Sequence, residues 1–142
     1  MVSVFYCDSS ALLKRTLSEP ESIRFVDAMD LWLDLGHVFV TSVLTVAECE
    51  RALRARRARS GSQLVDVVAI DEAMTEALSG VAILDITRPI IHLAGKLGPQ
   101  QLRTLDAIHL ATAHHHQVQA MVTYGDRLAL SSEFIGIPAL RP

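Results

Sequence analysis

Four acidic residues, Asp8, Glu48, Asp106 and Asp126, each close or open a short apolar run. Carboxylates gathered at one point repel one another unless a cation neutralises them, and an all-oxygen ligand set suits Mg2+ or Mn2+ far better than zinc. Such an ion stabilises charge on a scissile phosphate and lowers the pKa of a bound water. Each acid also has a plainer reading. Asp8 can cap a helix beginning at Ser9, and Glu48 can complete a capping box with Thr45. Asp106 suits the positive end of a helix capped by Thr104, and Asp126 can cap a helix running through Leu130. Whether the acids do joint chemistry depends on the elements that place them.

Those elements alternate. Short apolar runs at Ser3 to Cys7, His37 to Thr41, Val81 to Asp85, Ala120 to Tyr124 and Ile137 to Leu140 read as buried parallel strands. Between them, Ile23, Val26, Met29 and Leu33 recur at helical steps, as do Val67, Ile70, Met74 and Leu78. Leu105 to Ala113 is apolar almost all round, so it reads as a central helix. Ser60-Gly61-Ser62 reads as a turn between two helices, the second starting near Gln63. The expected class is α/β, a parallel sheet of about five strands with helices on both faces. With 142 residues, 50% hydrophobic, the chain matches one domain spanning residues 1–142.

In such a sheet the crossover helices leave the carboxyl edge of the strands, where ligands bind. Asp8 closes the first strand, Glu48 falls in the first turn of the helix after the second, and Asp126 follows the fourth. Asp106 opens a helix that runs back to feed that fourth strand, so its start belongs to the same edge. The four acids therefore converge.

Around these acids, the runs YCDSSALLK at 6–14, TSVLTVAE at 41–48, LDAIHLATA at 105–113 and VTYGDRLA at 122–129 resemble the acidic motifs of PIN-domain ribonucleases. The similarity is greatest to the VapC-type toxins of bacterial toxin-antitoxin pairs, and it covers nearly the whole chain in order. The resemblance implies a PIN-like α/β/α sandwich and an endoribonuclease that needs Mg2+ or Mn2+. It also implies a cognate antitoxin that holds the enzyme inactive, and a homodimer. By position, Asp8, Glu48 and Asp106 match the family's carboxylates, and Ser10 and Thr123 its hydroxyl positions near the metal. The fourth motif departs. The family commonly reads Thr-x-Asp after its fourth strand, whereas here Thr123-Tyr124 is followed by Gly125, and the acid comes one place later at Asp126. Gly125 is a candidate for a positive φ at this point. The alternative is a PIN-like domain that binds RNA or a partner and cuts weakly.

The formal net charge of -3 argues against a protein that coats nucleic acid nonspecifically, while leaving room for one that cuts it at an acidic site. Lys14, Arg51 and Arg54 are the candidate RNA or partner contacts, with Arg57 and Arg15 as further members of the same basic clusters. His114, His115 and His116 suit the negative end of their helix, away from the acids, and His109 reads as a packed core histidine. Cys7 and Cys49 read as buried, reduced thiols. No G-x-x-x-x-G-K-[ST], G-x-G-x-x-G or G-x-S-x-G run occurs. A phosphoacceptor receiver domain has similar size, but this chain has a single acid after its first strand and no lysine after Lys96. No run approaches the ~18 apolar residues of a membrane span, which leads to the expectation of a cytoplasmic protein without membrane contact.

Overall fold

The computed structural model describes residues 1–60 and 67–142. The Gly61-Ser62 turn and the helix start at Gln63 lie outside the described residues. Five strands form one sheet: β1 (Val4–Cys7), β2 (Val38–Ser42), β3 (Val81–Leu84), β4 (Ala120–Val122) and β5 (Ala139–Leu140). Every pairing is parallel and the order is β3-β2-β1-β4-β5. That order differs from the 2-1-3-4-5 arrangement of a receiver domain and removes that rival.

The helices are α1 (Ser9–Leu12), which tightens into a 3-10 turn at Leu13–Arg15, α2 (Ser22–Asp34), α3 (Val43–Arg59), α4 (Val67–Leu78), α5 (Arg88–Ala94), α6 (Thr104–His115) and α7 (Asp126–Phe134). Alternation along the strands sends successive side chains to opposite faces. Phe5, Cys7, Phe39, Ala120 and Val122 meet Phe25 and Met29 of α2 and Cys49 of α3 on one side. Tyr6, Val40 and Met121 meet Leu110 and Ala113 of α6 and Leu128 of α7 on the other. The result is the expected α/β/α sandwich. Each fully buried large apolar side chain in these layers contributes roughly 1.5–3 kcal/mol.

The register of two elements differs from the sequence reading. In α2, Ile23 is 77% exposed while Phe25 is fully buried, because the aromatic ring packs edge-on against Tyr124 and takes the inward position. Strand β3 is only half-buried, with Ile83 at 45% exposure, since it forms an edge and pairs on one side alone. Helix α6 is central as expected, burying Ala107, His109, Leu110, Ala111, Thr112 and Ala113.

Candidate active site

In the observed order, the chain leaves β1 toward β2 on one side and meets β4 on the other, so the crevice at the carboxyl ends of β1 and β4 is the topological switch point where α/β sheets bind ligands. Asp8 stands there. It caps α1, its Oδ1 accepting from the Ala11 amide at 3.1 Å and from the Ser10 hydroxyl at 2.7 Å. Across the crevice, the Thr123 hydroxyl donates to Asp8 Oδ2 at 2.6 Å. Ser10 and Thr123 are themselves fixed, because Ser10 Oγ accepts from the Tyr124 amide and Thr123 Oγ1 from the Gly125 amide. The capping reading of Asp8 is thus correct as local structure, and the contact with Thr123, 115 residues away, goes beyond capping.

Asp8 is 7% exposed. Burial drives its pKa above the usual aspartate range, against the opposing hydrogen bonds from Ser10 and Thr123, the nearby His109 and the Ala11 amide. A carboxylate buried in this way at a sheet crevice gains from a cation beside it.

Glu48 lies in the second turn of α3, since the helix starts directly at Val43 behind β2. The expected capping box with Thr45 is not formed: Thr45 is buried and its hydroxyl pairs with Thr41 at 2.7 Å, while Thr41 also donates to the Cys7 carbonyl at 2.6 Å. Glu48 instead bonds through Oε1 to His109 Nε2 at 2.6 Å, and the Tyr6 hydroxyl lies 2.7 Å from His109 Nδ1. His109 is 2% exposed, so the core reading holds, but its two ring nitrogens also link the sheet to a site acid. Sequence reasoning did not connect these residues. The available signal was the one-turn spacing from Asp106 to His109, which places both on one face of α6.

Asp106 occupies the first turn of α6, half-buried, and makes no hydrogen bond or ion pair among the described residues. The expected N-cap Thr104 is the first helical residue, and Arg103 holds the cap position without a side-chain bond. Asp126 is the first residue of α7 and forms an ion pair with Arg141 at 2.8 Å, its side chain 85% exposed. Among the described residues it bonds none of Asp8, Glu48 and His109. Gly125 caps α7 at φ -81, so the expected positive φ is absent.

Among the described residues, no group of three or more His, Cys, Asp or Glu side chains stands close enough to hold a metal ion as the side chains lie. The donor chemistry still fits a hard divalent cation. Asp8 is a buried carboxyl group, Glu48 engages one carboxylate oxygen, Asp106 engages neither, and no thiolate competes. Cys7 and Cys49 are free and buried, and burial pushes the Cys49 thiol up to about 12.

The basic candidates divide. Lys14 is buried, paired with Glu21 at 3.0 Å and Glu19 at 3.4 Å and placed over the Tyr124 ring, so it is engaged in the fold and does not face solvent as a phosphate contact would. Arg15 bonds the carbonyls of Ala77 and Ser79 at the end of α4. Arg54 forms an i,i+4 pair with Glu50, whereas Arg51, one turn beyond Glu48, is exposed and unpaired among the described residues. His114 and His115 close α6 and are exposed with His116, as expected.

The PIN domain family matches residues 5–131. The chain belongs to the PIN-domain family. Within that family it stands among the VapC ribonucleases: it is 35% identical over 145 residues to Ribonuclease VapC46 of Mycobacterium tuberculosis, covering 99% of each chain. To Ribonuclease VapC47 of the same species it is 35% identical over 141 residues, covering 98% of this chain and 97% of the relative. Among solved structures, the fold is shared with Mycobacterium tuberculosis VapC20, a sarcin-ricin-loop-cleaving toxin, at TM-score 0.66 and 17% identity, over 97% of this chain and 99% of that one. It is shared also with VapBC2 of Rickettsia felis bound to a promoter DNA fragment, at TM-score 0.69 and 14% identity, over 97% and 98%. The PIN domain carries no helix, among the described residues, long and apolar enough to cross a membrane.

Proposed function

We propose that Asp8, Glu48 and Asp106 form the acidic centre with which this VapC-type PIN ribonuclease hydrolyses RNA phosphodiester bonds, using Mg2+ or Mn2+. The observation that carries the reading is the Asp8 carboxylate, 7% exposed at the β1/β4 crevice and held on both oxygens. A divalent ion bound by these acids supplies positive charge against the scissile phosphate and the leaving oxygen. Ser10 and Thr123 orient Asp8, and the bond to His109 orients Glu48 while leaving Oε2 open. Asp106 completes the set from the start of α6, and Arg51 extends a cation from the Glu48 helix toward the RNA backbone. Asp126 has a minor part in this reading, as its carboxylate is paired with Arg141.

Residues 1–142 act here as one cytoplasmic nuclease unit. Solved relatives include a VapBC2 assembly and a toxin-antitoxin complex from Klebsiella pneumoniae, which supports a cognate antitoxin as the partner that restrains cleavage. The homodimer expected from the resemblance belongs to the same proposal. Purified protein incubated with RNA tests the central claim. Cleavage is expected with Mg2+ or Mn2+ and is expected to stop in excess EDTA, and Glu48→Gln and Asp106→Asn should each abolish it. Continued cleavage in EDTA would overturn the metal mechanism.

A further inference from the structure

Below the acidic crevice runs a buried polar chain that the family motifs do not explain. Tyr6 is fully buried, and alternation along β1 turns it away from Cys7 and toward α6. Its hydroxyl is 2.7 Å from His109 Nδ1, and the rings pack edge to face with centroids 5.8 Å apart. His109 Nε2 then lies 2.6 Å from Glu48 Oε1. An imidazole ring bonded at both nitrogens is held in orientation from two sides. The Glu48 carboxylate only accepts, so Nε2 donates to it, and the Tyr6 hydroxyl, which can donate or accept, meets the ring at Nδ1.

We infer that Tyr6 and His109 are positioning residues for the nuclease site: Tyr6 anchors the His109 ring at Nδ1, and Nε2 holds Glu48 by one oxygen and leaves the other for the cation. The inference rests on the reading of Glu48 as a site acid. Without the His109 donor, a glutamate that is about one quarter exposed samples several rotamers, and the acidic set loses a preorganised member. Removing His109 alone takes from the buried Tyr6 hydroxyl its 2.7 Å partner, which itself costs stability. The informative variant therefore removes both polar partners together.

Tyr6→Phe/His109→Leu is expected to fold, seen by circular dichroism and melting, and to bind Mn2+ about 10- to 100-fold more weakly by calorimetric titration, with cleavage reduced in parallel. His109→Gln, whose amide can donate from the Nε2 position, should recover most of both. Glu48→Gln run in parallel separates the two claims. Loss of cleavage in Glu48→Gln with wild-type Mn2+ affinity in the folded double variant overturns the positioning role alone. Full cleavage in Glu48→Gln overturns the reading of Glu48 and this inference with it. A folded His109→Gln as impaired as the double variant also overturns the inference.

Discussion

Asp126 and Arg141 form a 2.8 Å ion pair on the surface, and that pair engages the carboxylate that the sequence offers as the fourth acid. The carboxylate sits one residue later than the family pattern and turns outward from the first position of α7. Asp126→Asn is therefore expected to lower cleavage by less than about threefold, since an exposed pair of this kind contributes roughly 0–1 kcal/mol. Gly125→Asp is the opposite case. With φ at -81 and a new Cβ meeting only Thr123 Oγ1 at 3.5 Å, an aspartate fits there. It also improves the N-cap by a few tenths of a kcal/mol. Tighter Mn2+ binding by Gly125→Asp in calorimetry, with Asp126→Asn near wild type, is the expected pattern.

The strands and the edge on which Asp8 stands were legible because short apolar runs report a buried parallel sheet and chain order then fixes that edge, whereas Thr123 was placed near the site by the family resemblance alone. Less legible was anything that depends on exact register. Glu48 moves from the first helical turn to the second because α3 begins directly after β2, and Thr45 goes to Thr41 instead of capping. The Tyr6–His109 link needs both the face of β1 and the rotation of α6, which periodicity alone does not supply. Lys14 looked available as a cation, but the two glutamates that bury it come from the loop before α2 and carry no periodic signal.

Arg51 is the exposed cation one turn from Glu48, so it should contribute to RNA binding where Lys14 does not. Arg51→Ala is expected to weaken binding of single-stranded RNA and to reduce the slope of log affinity against log salt by about 0.7, the value for one phosphate contact. Arg54→Ala should change the slope less, because Arg54 already serves Glu50. Fluorescence anisotropy over a salt series measures both, and an unchanged slope for Arg51→Ala would remove it from the interface.

Cys7 and Cys49 are both fully buried, and burial together with the charges of Glu48 and Asp8 pushes the Cys49 thiol up to about 12. The thiolate is the reactive form, so neither residue should be modified by iodoacetamide in the folded protein at pH 8. Intact mass spectrometry should show no adduct under native conditions and two after denaturation. An adduct formed at the native rate of a free thiol would contradict the packing around α3.

Asp8 supplies a test whose sign distinguishes a site acid from a helix cap. Asn caps a helix about as well as Asp, so Asp8→Asn keeps the cap and removes the buried charge. Burial raises the folded-state pKa of Asp8 above its ordinary value of 3.8, which means the folded protein holds the proton more tightly. The stability linked to that proton is complete below the unfolded value and is lost as pH rises through the folded value. In EDTA at pH 7, Asp8→Asn should therefore melt a few degrees above wild type, about 1 kcal/mol corresponding to roughly 4 °C at this length. The gap should close as pH falls toward 4. Asp8→Ala, which loses the cap and leaves Ser10 and Thr123 without their acceptor, should melt below wild type by about 0.5–2 kcal/mol in stability. Saturating Mn2+ should then reverse the order of wild type and Asp8→Asn, since an ion present at 100 times its Kd adds about 2.7 kcal/mol to the form that binds it. Differential scanning calorimetry with and without Mn2+ reads the reversal, and an Asp8→Asn that melts with wild type both in EDTA and in saturating Mn2+ would reduce Asp8 to a cap.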